Sequence, residues 1–144
     1  MSYASGWVFW ALLAAAFAAL TAIFAKVGVS DLNADFATFI RTIVILVALA
    51  AFLFFTRQFQ NLAAVSVKSL VFLVLSGLAT GASWVCYFRA LKLGNASQVA
   101  PIDKLSVVFV AVFAVIFLQE RPSFREWTGI LLISAEALLL ALKR

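Results

Sequence analysis

Between Ser76 and Gly94 the chain reads SGLATGASWVCYFRALKLG, an apolar run that nevertheless carries hydroxyls, an indole, a phenol and a guanidinium. On a helix turning about 100° per residue, Ser76, Thr80, Ser83 and Tyr87 fall within about 60° of one another and form one polar stripe. Groups of this kind either hydrogen-bond a neighbouring helix or line a wet cavity through which a polar solute passes, and the spacing leaves both open. Beside them Gly77, Gly81, Trp84 and Phe88 form a second stripe. Its GLATG segment is a GxxxG element, in which missing side chains let another helix approach closely.

Charges inside apolar segments are the more demanding feature, because an ionised side chain at the centre of a membrane helix costs about 2.5–3.5 kcal/mol on insertion scales. Arg89 stands near the end of one such segment. Asp103 and Lys104 stand near the start of the next, across a short hairpin, so the three are expected at similar depth. The spacing predicts an Arg89–Asp103 ion pair, which either pins the hairpin or guards a cavity mouth together with Lys104. Arg41 is expected to snorkel to the headgroups. Glu136, with few polar neighbours, is open to protonation, to pairing with a basic residue of another helix, or to a subunit contact. Pro101 removes an amide donor near the start of a helix; this is either an ordinary first-turn proline or a source of a freed carbonyl near Ser97.

No enzyme constellation accompanies these residues. The chain has no histidine and one cysteine, Cys86. There is no metal-binding cluster, no glycine-rich phosphate loop after a strand and no nucleophile beside a base. No catalytic residue, metal or cofactor is expected.

The elements that must position these residues are dictated by composition. Of the 144 residues, 66% are hydrophobic and only 12% charged, about half the charged share of a soluble domain, so the expected solvent is lipid. The net charge of +5 comes from basic residues scattered singly, which does not make a nucleic-acid surface. A membrane helix needs roughly 20 mostly apolar residues, and five stretches qualify: 7–25, 36–55, 70–91, 99–118 and 127–142. Unbroken apolar runs exclude the alternating strands of a membrane barrel. The first run lacks a preceding Lys or Arg and reads as a retained helix rather than a signal peptide. Asp35 is expected to cap helix two, Gly94 and Asn95 to mark the turn before helix four, and Ser123 to Glu126 to form a capping box opening helix five. The expectation is thus an all-α membrane protein in a single domain, with its termini on opposite sides of the bilayer. Arg57, Lys68, Arg121 and Arg125 fall on one side. Lys26, Lys92, Lys143 and Arg144 fall on the other, joined by Arg41, Arg89 and Lys104 if helix-end residues count. So weak a bias permits insertion both ways and hence an antiparallel homodimer.

From Tyr87 onward the order of features is more specific. An Ala-Leu helix end (Ala90, Leu91), a small-residue turn, ASQVAP, an apolar helix, LQER and an amphipathic re-entry into a final helix together resemble the EamA domain of the drug/metabolite transporter superfamily. The resemblance spans most of the chain. It implies a five-helix repeat usually found twice, inverted, in a ten-helix transporter, so a single copy would pair with a second chain. It also implies an inner-membrane transporter of a small metabolite or similar solute, working by alternating access, with helices one to four lining the pathway. Ser76, Thr80, Ser83, Trp84 and Tyr87 would then form the pathway wall. The essential glutamate that small multidrug members carry in their first helix has no counterpart, since helix one offers only Thr21; their proton-coupled mechanism does not transfer. Two other roles stay open: a non-transporting membrane partner of another subunit, and translocation of a lipid or lipid-linked sugar.

Overall fold

The structure, a computed structural model, describes residues 6–141; Leu142, Lys143 and Arg144, used above to end a helix and to weigh orientation, lie outside the described residues. The described residues form helices and no strand. These are α1 (Gly6–Gly28), α2 (Ala34–Thr56), α3 (Val67–Leu93), α4 (Ala96–Asp103), α5 (Ser106–Phe117) and α6 (Phe124–Ala141), with a short 3-10 turn at Leu62–Ala64. Four stretches are long and apolar enough to cross a membrane: α1, α2, α3, and α4 with α5 taken together as Ala96–Leu118. The chain is a multi-pass membrane protein. The fifth expected span, α6, has 18 residues, about 27 Å of helix, and carries Arg125, Glu126 and Glu136.

Helix ends follow local chemistry, with one exchange of roles. Asn33, not Asp35, caps α2: its side-chain oxygen accepts from the backbone N–H of Asp35 at 2.9 Å and of Phe36 at 3.2 Å. An Asn at this position satisfies amides that have no partner within the helix, and it leaves the Asp35 carboxylate free for another use. At the far end of α2, Arg57 is left-handed (φ 54°). Its N–H reaches Phe54 O while that of Gln58 reaches Leu53 O, a Schellman closure that occupies two terminal carbonyls. The capping box before α6 is present, with Ser123 N donating to the Glu126 carboxylate and Glu126 N to Ser123 Oγ.

The expected single fourth helix is interrupted. After Asp103 the backbone tightens to i→i−3 bonding at Lys104, Leu105, Val107 and Val108 before regular helix resumes at Ser106. Pro101 lies inside α4, where it has no N–H to give to the preceding turn. Local 3-10 geometry accommodates such a defect without unsatisfied amides.

The chain divides into two compact units, one comprising Phe24–Leu93 and the other Met1–Ile23 with Gly94–Arg144. In the first, α2 packs on α3, burying Ala25, Val29, Ala34, Ala37, Thr38, Phe88 and Leu91. In the second, α6 packs on α4 and α5, and Ala111, Ala114 and Ala137 are buried. Large apolar side chains such as Phe55, Phe72, Phe117 and Leu139 point outward. Apart from Phe88, Leu91 and Val29 the buried residues are small, an arrangement lipid favours because helices in a bilayer associate by close packing rather than by escape from water.

Candidate functional site

The residues with chemical potential converge at one end of the α2–α3 pair. Asp35 of α2 meets Arg89 of α3, while Arg41, six residues further along α2, meets Trp84 and Phe88, which come earlier on α3. Rising numbers on one helix matched to falling numbers on the other make the pair antiparallel. All the buried residues of both helices lie at this end: Ala34, Ala37 and Thr38 on α2, Phe88 and Leu91 on α3.

Arg89 makes a two-pronged contact. Its Nε donates to Asp35 Oδ1 at 2.8 Å and its second terminal nitrogen to Oδ2 at 2.7 Å. The planar fork of arginine matches a carboxylate in this geometry, which adds orientation as well as charge pairing. The expected Arg89–Asp103 pair is therefore replaced by Arg89–Asp35. Once Asn33 caps α2, the carboxylate of Asp35 faces α3 at the depth of Arg89. Asp103 instead stands 4.0 Å from its sequence neighbour Lys104, with both side chains largely exposed. Such a contact fixes little. Of the three residues expected to guard one mouth, only Arg89 belongs to the unit that holds the α2–α3 site.

Two lysines complete this end. Lys26, in the last turn of α1, donates to Leu91 O at 2.6 Å, and Lys92 donates to Leu32 O. Leu91 O belongs to the last turn of α3, where carbonyls lack partners within the helix and a cation is favoured. Both lysines thus bond backbone carbonyl oxygens at the ends of neighbouring segments.

Arg41 is half-buried against two aromatic rings of α3. It stands seven residues inside α2, about 10 Å along the axis, and its guanidinium carbon lies 4.3 Å from the ring centre of Trp84 and 5.4 Å from that of Phe88. The π faces of the rings attract the cation. No described carboxylate pairs with it, and it donates no hydrogen bond to any described residue.

The sequence-derived stripes are divided by this geometry. Trp84 and Tyr87 are half-buried, whereas Ser76, Thr80 and Ser83 are exposed along the rest of α3. The Thr80 hydroxyl donates back to Ser76 O at 2.8 Å, which leaves its lone pairs available to a donor. Of the glycine stripe, Phe88 packs under Arg41 while Gly77 and Gly81 approach nothing: a Cβ at either would meet no atom within 4 Å. Sequence reasoning missed the roles of Asp35 and Arg41. The start of helix two and the end of helix three lie at one face of the membrane, so counting inward from that face would have paired 35 with 89 and 41 with 84 to 88. Among the described residues no group of His, Cys, Asp and Glu could hold a metal ion.

A family model described as the EamA-like transporter family matches residues 5–142. An "Uncharacterized transporter in cobO 3'region" of Sinorhizobium sp is 60% identical over 135 residues, covering 94% of this chain and 96% of that protein. An "Uncharacterized transporter" of Archaeoglobus fulgidus is 31% identical over 135 residues, again 94% of this chain but 46% of the archaeal protein. No solved structure matches the chain.

Proposed function

The chain belongs to the EamA-like transporter family, and from that premise we propose that it moves a small metabolite or related solute across the cell's inner membrane, as a pair of identical chains working by alternating access. The observation that carries this reading is α3. It is a membrane-length helix whose Ser76, Thr80 and Ser83 are exposed, and whose Trp84 and Tyr87 lie beside a charged cluster rather than in a filled core. The Thr80 hydroxyl donates to its own helix at Ser76 O, but the acceptor capacity left along this face is met by water, a solute or a partner helix and not by lipid.

Pairing of two chains is supported by the lengths of the relatives. This chain spans nearly all of the Sinorhizobium protein, while the archaeal protein is more than twice as long as the stretch it matches. Two short chains can supply what one long chain carries. If one copy enters the membrane inverted, the pair acquires the internal symmetry by which transporters expose a central site to each side in turn. The interruption between α4 and α5 supports the same mechanism, because broken helices offer backbone groups and bending points inside a membrane.

The test is uptake or efflux of a panel of radiolabelled amino acids, organic acids and sugars by proteoliposomes containing only this protein. Transport of at least one class is expected, with Ser83→Ala, Tyr87→Phe and Trp84→Ala each lowering the rate several-fold at unchanged protein insertion. Full transport by all three variants would remove α3 from the pathway. Movement of fluorescent lipid in place of every solute would assign the protein to lipid translocation, and no movement of either would leave it a partner of another subunit.

A further inference from the structure

Resting on that transport reading, we propose that Arg41, seated on Trp84 and Phe88, binds the oxyanion of the transported solute, which is therefore an acid: a carboxylate or phosphate ester rather than a cation or neutral sugar. Three observations converge on this assignment.

First, the guanidinium is anchored but not saturated. The rings fix its position, 4.3 Å and 5.4 Å from their centres, and neither supplies an acceptor for its N–H groups. Arginine has five such donors in a plane, and none of Arg41's reaches a described residue. An arginine held in this way within a membrane helix is poised for a planar oxyanion.

Second, the neighbouring arginine is a contrast within the same unit. Arg89 has its carboxylate in Asp35, at 2.7 and 2.8 Å. A structural arginine at this end of the helix pair is thus supplied with an internal counter-ion, and Arg41 is not.

Third, the local charge is unbalanced. This end of the unit holds Lys26, Arg41, Arg89 and Lys92 against Asp31 and Asp35. Four cations against two carboxylates give this end a formal excess of positive charge. A positive excess beside low-dielectric walls concentrates anions and repels cations.

The experiment reads anion access to Trp84 directly and needs no transport activity. Trp7, Trp10 and Trp127 are replaced by Phe, leaving Trp84 as the only indole, and the full chain is placed in nanodiscs of phosphatidylcholine. Quenching by iodide is compared with quenching by neutral acrylamide. In the Arg41→Gln variant the iodide constant, normalised to acrylamide, is expected to fall about fivefold, the size of one unit charge a few ångströms away in a water-like dielectric. Arg57→Gln, an equal loss of charge at the far end of α2, should leave it unchanged, and Arg41→Lys should retain most of it. Benzoate or inorganic phosphate at millimolar concentration should protect Trp84 from iodide in the parent and not in Arg41→Gln. Equal iodide quenching in the parent and Arg41→Gln overturns the site. Protection by phosphatidylglycerol in the nanodisc but by neither soluble anion assigns the guanidinium to a lipid phosphate and overturns the solute assignment. A chain that passes these tests yet moves no solute in proteoliposomes has the anion site without the transport role, so the two readings fail separately.

Discussion

At the scale of the residue, the exchange of partners around Arg89 has a physical order. Asn33 satisfies the first amides of α2, so Asp35 is released from capping and its carboxylate turns to the fork of Arg89. The two charges also suit their helices, since a carboxylate is favoured near a helix N-terminus and a cation near a C-terminus. Reversing the pair tests whether its geometry or only its net charge matters. Arg89→Asp alone sets two carboxylates together and Asp35→Arg alone sets two guanidiniums together, so each should lower the melting temperature of the purified protein in detergent by several degrees. The double reversal should recover most of that loss. Asp103→Asn should leave the melting temperature unchanged, whereas Asp35→Asn should not; equal effects would restore the Arg89–Asp103 pair.

At the scale of the element, α2 depends on a cap that is easily removed. Asn33→Ala deprives Asp35 N and Phe36 N of their acceptor and is expected to cost about 1 kcal/mol, read as a shift in the unfolding midpoint in mixed micelles. Asn33→Asp keeps an acceptor and should cost far less. How far such elements were legible in the sequence depends on what determines them. The long apolar runs gave the spans to within a few residues, because lipid thickness sets helix length almost regardless of side-chain detail. The capping box at Ser123 was equally legible, being local. What escaped was set by neighbours. Asn33 and Asp35 are both competent caps, and only the proximity of Arg89 distinguishes them. Whether Arg41 reaches lipid headgroups or an indole depends on which face of α3 is turned toward it. The break between α4 and α5 follows Pro101 by two residues, so a proline that reads as an ordinary first-turn residue marks a change of helix geometry further on.

At the scale of the whole molecule, α3 is the element that most needs something outside the chain. Its most apolar 18-residue window contains no buried residue, and Gly77 and Gly81 open onto space. Lipid can cover leucine and phenylalanine, but it gains nothing from a glycine pair one turn apart, whereas a second copy of α3 gains close backbone contact there. The proposed pair of chains is therefore expected to meet along this stripe. Because a Cβ at either glycine touches nothing in the chain itself, Gly77→Leu with Gly81→Leu should leave the helical content and insertion of one chain intact. The same substitution should convert two-step to one-step photobleaching of labelled protein diluted in nanodiscs. A stripe that serves only to face lipid predicts no change in that count. The orientation of the partner follows from a second measurement, in which a reporter fused to the C-terminus is read from both sides of the membrane. Signal from both sides accords with antiparallel copies and the weak Lys/Arg bias, and signal from one side makes the pair parallel. In an antiparallel pair the Arg41 sites of the two copies would open toward opposite sides of the membrane, and loss of one Arg41 in a linked dimer should then slow entry from one side more than from the other.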